Sequence, residues 1–142
     1  MKIKQISVFL ENQSGRLNEV AQIMGQSGIN LSAFTMAENA DFGILRVIVS
    51  DPDKAMAVLK ENKFAVSTTD VICLSCPDVA GGLAKALEIM SANGVAIDYM
   101  YAFSSGNGEA RIIVRPTDID GAIATLQNHK LELIAADVLY NL

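Results

Sequence analysis

Residues 11–20 read ENQSGRLNEV and residues 77–86 read PDVAGGLAKA, and the two stretches share one design. In each, an apolar strand pattern gives way to polar residues, then to a glycine, and then to a leucine that opens a helical pattern. Aligned at a shift of 66 positions, Gly15 matches Gly81 and Leu17 matches Leu83. The chain therefore repeats a strand-to-helix turn, which indicates an internally duplicated fold.

The repeat extends over nearly the whole chain. The shift of 66 also aligns Ile6 with Ile72 and Gly28 with Gly94. Past the middle of each copy the shift becomes 67, where residues 53–59 match residues 120–126 in their aspartate, alanine and leucine positions. We therefore predict two domains that meet without a linker, residues 1–69 and residues 70–142.

Each copy has the same predicted order of elements. In the first, Ile6, Val8 and Leu10 alternate as one face of a strand, and residues 17–24 carry apolar side chains at helical spacing. A hairpin (INLSAFTMA and FGILRVIVS), a helix after Ser50 and a short strand (FAV) follow. The second copy repeats this order from DVICLSC to LELIAADVLY, which stands in the place of the closing strand. Two βαββαβ units predict an α+β fold of two ferredoxin-like units, with antiparallel sheets covered by helices on one face.

Composition excludes several classes of partner. Lys and Arg number 11 against 16 Asp and Glu, so the net charge is −5, and 51% of the residues are hydrophobic. An acidic chain without a basic cluster is unsuited to nucleic acid, and a single Phe42 on an inner strand gives RNA bases little to stack on. Without an apolar run of about 18 residues or a signal-peptide core, we expect no membrane partner and a cytoplasmic location.

Cys73 and Cys76 form a C-x-x-C motif, which raises metal carriage or redox chemistry as an alternative function. The repeat aligns them with Ser7 and Leu10, both inside a strand, where residues three apart point to opposite faces. We therefore expect two buried cysteines, with no metal and no cofactor. A metal carrier remains the less favoured alternative function.

The repeated turn is a candidate binding site for a carboxylate. A helix start exposes unpaired backbone N–H groups and a partial positive charge, and a glycine lets a ligand approach the backbone. Asn12, Gln13 and Ser14 are placed to add hydrogen bonds, and Arg16 is a candidate carboxylate partner. The competing interpretation is structural: Ser14 caps the helix and Gly15 makes a tight turn. Duplication does not decide between the two.

The segments from Gly15-Arg16-Leu17 to Gly28-Ile29-Asn30-Leu31, and from Gly81-Gly82-Leu83 to Tyr99, resemble the opening half of an ACT domain, a regulatory unit that binds amino acids. The chain as a whole resembles a stand-alone tandem ACT protein. This resemblance implies an amino-acid effector held where the first loop of one unit faces the second strand of the other. It implicates Asn12, Gln13, Ser14, Gly15, Arg16, Leu17, Asn30 and Leu31, and in the second copy Asp78, Val79, Ala80, Gly81, Gly82, Leu83, Ala96 and Ile97.

Departures from the family pattern predict unequal sites. Ser14 and Ala80 stand where the family often has proline, and Ala96 replaces the asparagine found as Asn30 in the first copy. Asp78 brings a negative charge to the second loop. We expect the first loop to be the better binder, and residues 98–101 (DYMY) are a candidate ammonium partner or ring wall.

Catalysis has no evident residue set. The single histidine, His129, is predicted at a helix end, and Asp51 and Asp118 stand at helix starts, where capping explains them. We predict a non-enzymatic regulatory protein that binds an amino acid, forms a homodimer, and modulates a separate metabolic enzyme, transporter or regulator. The alternative is a protein-interaction module of the same fold that binds no ligand, which Ser14, Ala80 and Ala96 favour. The sequence leaves open which amino acid binds, and whether the units pair within or between chains.

Overall fold

The computed structural model describes residues 1–11, 13–38 and 41–142. Within these residues the chain forms seven strands and five helices, which confirms the predicted α+β class of two ferredoxin-like units. None of the described helices is long and apolar enough to cross a lipid bilayer. In chain order the elements are β1 (Ile3–Glu11), α1 (Arg16–Gln26), β2 (Leu31–Glu38), β3 (Phe42–Val49), α2 (Pro52–Glu61), β4 (Ala65–Pro77), α3 (Gly82–Ala92), β5 (Ile97–Ser104), β6 (Glu109–Pro116), α4 (Ile119–Asn128), β7 (Glu132–Leu133) and α5 (Ala136–Tyr140).

The chain divides into two compact units. The N-terminal unit comprises Lys4–Thr69 together with Asp137–Leu142, and the C-terminal unit comprises Asp70–Ala136 together with Met1–Ile3. The sequence-based division at 69/70 kept each chain end with its own half, whereas the structure packs each end with the opposite half. Apolar periodicity predicts helices and strands but does not say which sheet a strand joins. The repeat pattern therefore could not predict that each chain end packs with the opposite half.

The core of the N-terminal unit lies between its sheet and two helices. Strands follow the order β2-β3-β1, with β4 beside β1. The antiparallel β1–β3 register aligns Val8 with Leu45, and both side chains are buried. Val20 of α1 and Leu59 of α2 close over this sheet face in one hydrophobic cluster. The helices thus cover one face because their apolar residues recur at the spacing of a single helical stripe.

The C-terminal unit repeats this arrangement in the order β5-β6-β4, with β7 on the other side of β4. The β4–β6 register aligns Leu74 with Ile112, and both belong to the cluster completed by Met90 of α3 and Leu126 of α4. Since each unit buries its own apolar stripe, two separate cores form instead of one.

Two elements differ from the sequence-based expectation. The strands predicted at FAV and at DVICLSC are one continuous 13-residue strand, β4. The expected closing strand LELIAADVLY gives only the two-residue β7, followed by the short helix α5. Leu139 of α5 is fully buried and the Tyr140 hydroxyl accepts the Lys4 backbone N–H at 2.8 Å. These contacts favour a helical turn over continued alternation, since tertiary packing overrides intrinsic strand preference.

The two units reproduce each other's backbone hydrogen bonds, so positions in one can be compared with positions in the other. These bonds lie at the helix starts, at the helix ends and where each hairpin meets its second helix. The pairs are Glu19 N to Gly15 O (3.0 Å) and Lys85 N to Gly81 O (3.1 Å), Ile29 N to Met24 O (2.9 Å) and Val95 N to Met90 O (2.9 Å), and Ser50 N to Asn30 O (3.0 Å) and Thr117 N to Ala96 O (2.9 Å).

Candidate functional site

The first strand-to-helix turn ends in a helix start without a side-chain cap. Gly15 is the N-cap of α1 in the left-handed region at φ 90°, and no side chain among the described residues accepts a hydrogen bond there. Ser14 is exposed and does not cap the helix, which removes the structural explanation considered for it. Among the described residues, the backbone N–H groups of Leu17 and Asn18 in the first turn have no acceptor, so both suit an anionic ligand.

The Arg16 side chain is already engaged within the N-terminal unit. Its Nη1 donates to Glu19 Oε2 at 2.9 Å, and the guanidinium carbon lies 4.3 Å from the centre of the Phe64 ring. Only 23% of the side chain is exposed. Glu19 occupies Nη1, and Nε is buried without a partner among the described residues, so the backbone amides are the better-placed anion donors.

An apolar cleft of about 410 Å³ lies in the N-terminal unit between α1 and the strands β2 and β3. Leu17 and Leu31, two residues predicted from separate parts of the sequence, both line it. Gln13, Ser14, Gly15, Arg16 and Asn30 do not line it, and Asn12 lies outside the described residues. The full lining is Leu17, Val20, Ala21, Leu31, Phe34, Thr35, Met36, Leu45 and Val47.

Sequence reasoning missed the residues that give this cleft its outer wall. Phe34 is 64% exposed and Met36 is 46% exposed on the outer strand β2. The sequence does carry a signal for this wall. Large apolar side chains stand at both positions, whereas the solvated face of a half-buried strand normally carries polar ones.

Asn30 is held by the C-terminal segment of its own unit. Its Nδ2 donates to the Leu142 carbonyl at 3.2 Å, and its backbone N–H donates to Ser50 Oγ at 2.9 Å. Nearby, Ser32 Oγ donates to the Leu139 carbonyl at 3.4 Å. The asparagine predicted to contact an effector therefore fastens α5 and the residues after it in this structure.

The second turn is built differently around the same backbone. Gly81 is the N-cap of α3 at φ 86°, again without a side-chain cap among the described residues. A Cβ on Gly82 would overlap the carbonyl oxygen of Pro77, so the second glycine is required by a close backbone approach. In the first copy this position is Arg16.

The predicted residues of the second copy separate into different places. Val79, Ala80, Gly81 and Gly82 line a cleft of about 210 Å³ together with Cys76 and Lys85. Ala96 and Ile97 line another cleft, and Leu83 packs against the core of the C-terminal unit. The Asp78 backbone N–H donates to the Gly108 carbonyl at 2.9 Å, and its side chain is not part of either lining. Within this unit the loop and strand residues thus do not share one cleft.

The acidic and aromatic stretch on β5 alternates between half-buried tyrosines and exposed residues. Asp98 is exposed and its Oδ1 accepts the Thr117 hydroxyl at 2.9 Å. Asp98 is therefore tied to the start of the connection between the second hairpin and α4.

The two cysteines lie on different faces of β4. Cys76 belongs to the core cluster with Ile72 and Leu74, whereas Cys73, between them in the alternation, lies outside that cluster. Burial raises the pKa of the Cys73 thiol to about 12, with Arg111 opposing the shift. Burial, assisted by Glu109 and Asp78, also raises the pKa of Cys76. No group of three or more His, Cys, Asp or Glu side chains that could hold a metal ion occurs among the described residues.

We expect Cys73 to be alkylated by iodoacetamide at pH 7.5 about 1000-fold more slowly in the native protein than in urea, because a pKa near 12 in place of 9 reduces the thiolate fraction by that factor. The measurement is made by mass spectrometry on the Cys76→Ala variant. A raised thiol pKa favours folding below pH 9, and this contribution is lost as the pH rises toward 12. Equal native and unfolded rates would show that the thiol is accessible and that folding does not raise its pKa.

Comparison with known proteins bears on the whole chain. The family model described as "ACT domain pair" matches residues 1–142. The chain belongs to the ACT domain pair family. This membership confirms the resemblance drawn from the two glycine-leucine turns, and it accounts for the two ferredoxin-like units without a linker. No protein of curated function matches the sequence.

Solved structures of similar proteins extend the comparison of this ACT domain pair. The crystal structure of protein BT0572 from Bacteroides thetaiotaomicron has 55% sequence identity, covers 100% of this chain and 98% of that chain, and gives a TM-score of 0.96. The ligand-free regulatory subunit of aspartate kinase from Thermus thermophilus has 16% identity over 87% of each chain, with a TM-score of 0.63. The corresponding subunit from Thermus flavus has 15% identity over 87% of this chain and 88% of that chain, with a TM-score of 0.63. The two kinase subunits share the fold alone.

Proposed function

We propose that this ACT domain pair protein is a regulatory protein that binds an amino acid with an apolar side chain, and that the better site is in the N-terminal unit. The main support for this proposal is that one apolar cleft of about 410 Å³ is lined by both Leu17, in the first turn of α1, and Leu31, at the start of β2. The cleft therefore adjoins a helix start that has no side-chain cap among the described residues, so apolar surface and anion-binding amides lie side by side.

The chemistry of an amino acid matches these two features. Its carboxylate would accept hydrogen bonds from the backbone N–H groups of Leu17 and Asn18, where the helix dipole favours negative charge. Its side chain would remove apolar surface of Leu31 and Phe34 from water, at about 25 cal/mol per Å² buried. Gly15, at φ 90°, keeps a side chain away from the approach to these amides.

A non-enzymatic role in trans follows from this proposal. The protein would bias a separate enzyme, transporter or regulator, as a homodimer in the cytoplasm. Support for a self-associating surface comes from the exposed Phe34 and Met36 on β2, since exposed apolar groups of this size mark interaction surfaces. The shared fold of the aspartate kinase regulatory subunits, chains named for regulation, is consistent with this role.

The test is a thermal-shift screen against the common L-amino acids, followed by calorimetry. We expect leucine, isoleucine, valine, methionine or phenylalanine to raise the Tm, since a ligand at 100 times its Kd adds about 2.7 kcal/mol to the unfolding free energy. Phe34→Ala should weaken binding, whereas Phe9→Ala, an exposed apolar side chain outside the cleft lining, should leave it unchanged.

A second matched pair identifies the unit. Leu17→Ala should weaken the response, and Val79→Ala, an exposed side chain in the second turn, should not. The reverse pattern would move the site to the C-terminal unit. If no amino acid changes the Tm at millimolar concentration, a protein-interaction module that binds no ligand becomes the better-supported function. The exposed Phe34 and Met36 favour this alternative.

A further inference from the structure

A second cleft, of about 280 Å³, lies within the C-terminal unit between the end of α3 and the start of α4. Its lining is part polar and part apolar, and Asp118 is the one charged side chain among the described residues that form it. Thr117 beside it donates to Asp98, which adds a second carboxylate next to the cleft. The lining is Asn93, Gly94, Val95, Ala96, Thr117, Asp118, Gly121, Ala122 and Thr125.

The equivalent place in the N-terminal unit is spanned by a lysine. Lys54 occupies the position of Gly121, and its Nζ donates to the Ser27 carbonyl at 2.7 Å. Ser27 in turn occupies the position of Asn93, which lines the cleft of the C-terminal unit. The first unit therefore shows an alkylammonium group lying across this gap and bound to the carbonyl at the end of the first helix.

The capping hydrogen bonds of the second helices match in the two units. Lys54 N donates to Asp51 Oδ1 at 3.1 Å, and Gly121 N donates to Asp118 Oδ1 at 3.1 Å. A Cβ added to Gly121 would overlap Asp118 Oδ2. The second carboxylate oxygen of Asp118 thus lies where a lysine side chain would begin, and the space beyond it is open.

We propose that this cleft of the C-terminal unit binds a small primary alkylammonium ion, which takes the place of the lysine side chain that Gly121 lacks. The ammonium group donates to the Asn93 carbonyl, as Lys54 does to Ser27, and the Asp118 carboxylate supplies the opposite charge. The alkyl stem packs on Val95 and the buried Ala122. The site uses residues other than those of the proposed effector site, so either proposal can fail without the other.

The probe is n-butylammonium chloride, because it carries the ammonium group of a lysine side chain on an alkyl chain of similar length. In ¹⁵N-HSQC titrations at constant chloride, we expect saturable shifts between about 1 and 100 mM for the amides of Gly94, Ala96, Gly121 and Thr125. The matched neutral control, 1-butanol, should leave these amides unchanged. Equal shifts with 1-butanol, or no shifts at these amides, would overturn the proposal.

Three variants sharpen the test. Gly121→Lys should abolish the shifts by filling the cleft from within. The Asp118 carboxylate must rotate away from the new Cβ, and the Asp51–Lys54 pair shows that an aspartate can cap a helix with lysine at this position. Lys54→Gly should create new butylammonium-dependent shifts at Ser27 and Gly28. Asp118→Asn keeps a capping side chain but removes the charge, so the fold persists and the apparent Kd should rise about threefold. Unchanged binding in both Gly121→Lys and Asp118→Asn would place the ion elsewhere.

Discussion

Replacing Gly82 with alanine is expected to lower the free energy of unfolding by about 3 kcal/mol. A Cβ at this position would overlap the Pro77 carbonyl oxygen and lie 3.2 Å from the carbonyl carbon. The contacting atoms are backbone, so they cannot rotate away, and either the start of α3 or the end of β4 must shift. Such a shift disturbs the C-terminal core, since Ala86 and Met90 of α3 belong to it. Urea unfolding followed by circular dichroism measures the loss.

Gly25→Ala is the matched control for this substitution. Gly25 lies within α1, and a Cβ there would meet nothing within 4 Å. We expect a gain of about 0.5–1 kcal/mol, because alanine has the higher helix propensity and loses less backbone entropy on folding. The two changes add the same methyl group and differ only in surroundings. If both variants changed stability in the same direction, the close approach at Pro77 would not be what fixes glycine at position 82.

Replacing Leu139 with alanine is expected to cost about 3 kcal/mol, because the side chain is fully buried although it lies in a five-residue helix near the chain end. Burial of this leucine is joined by hydrogen bonds from Lys4, Ser32 and Asn30 to Tyr140, Leu139 and Leu142. We expect amide hydrogen exchange at Lys4 to accelerate in the variant, since its N–H donates to the Tyr140 hydroxyl.

Val138→Ala is the control that distinguishes the effect of burying Leu139 from the contribution of the α5 helix itself. Val138 precedes Leu139 in the same helix and is 43% exposed, so its truncation should change the unfolding free energy by less than about 0.5 kcal/mol. Equal losses in the two variants would mean that α5 contributes through its helical backbone alone. A small loss for Leu139→Ala would mean that the C-terminal segment is not part of the N-terminal unit in solution. Asn30 holds the C-terminal segment. Measuring amino-acid binding to the Leu139→Ala and Val138→Ala variants therefore also tests whether the effector and this segment compete for Asn30.

The candidate site could be predicted in part. Gly15 and Leu17 were identified from the repeated turn, and the left-handed Gly15 and the cleft-lining Leu17 both lie at the start of α1. Phe34 and Met36 were missed because alternation on β2 predicts a strand but not which of its faces stays open. Arg16 stays a predicted ligand partner. Its contact with Glu19 lies three positions away in the same helix, whereas its contact with Phe64, 48 positions away, is set by the fold and could not be predicted.

The sequence by itself determined the duplication, the α+β class and the order of elements up to α4, apart from the joining of two predicted strands into β4. Those features follow from local periodicity and from glycines at turns, which act within a few residues of chain. Only the tertiary structure decided that Met1–Ile3 and Asp137–Leu142 pack with the opposite halves, that β4 is continuous, and that Lys54 spans a gap which Gly121 leaves open. These outcomes depend on contacts between residues far apart in the chain, and such contacts are selected by burial and hydrogen bonding in the folded state, not by local pattern.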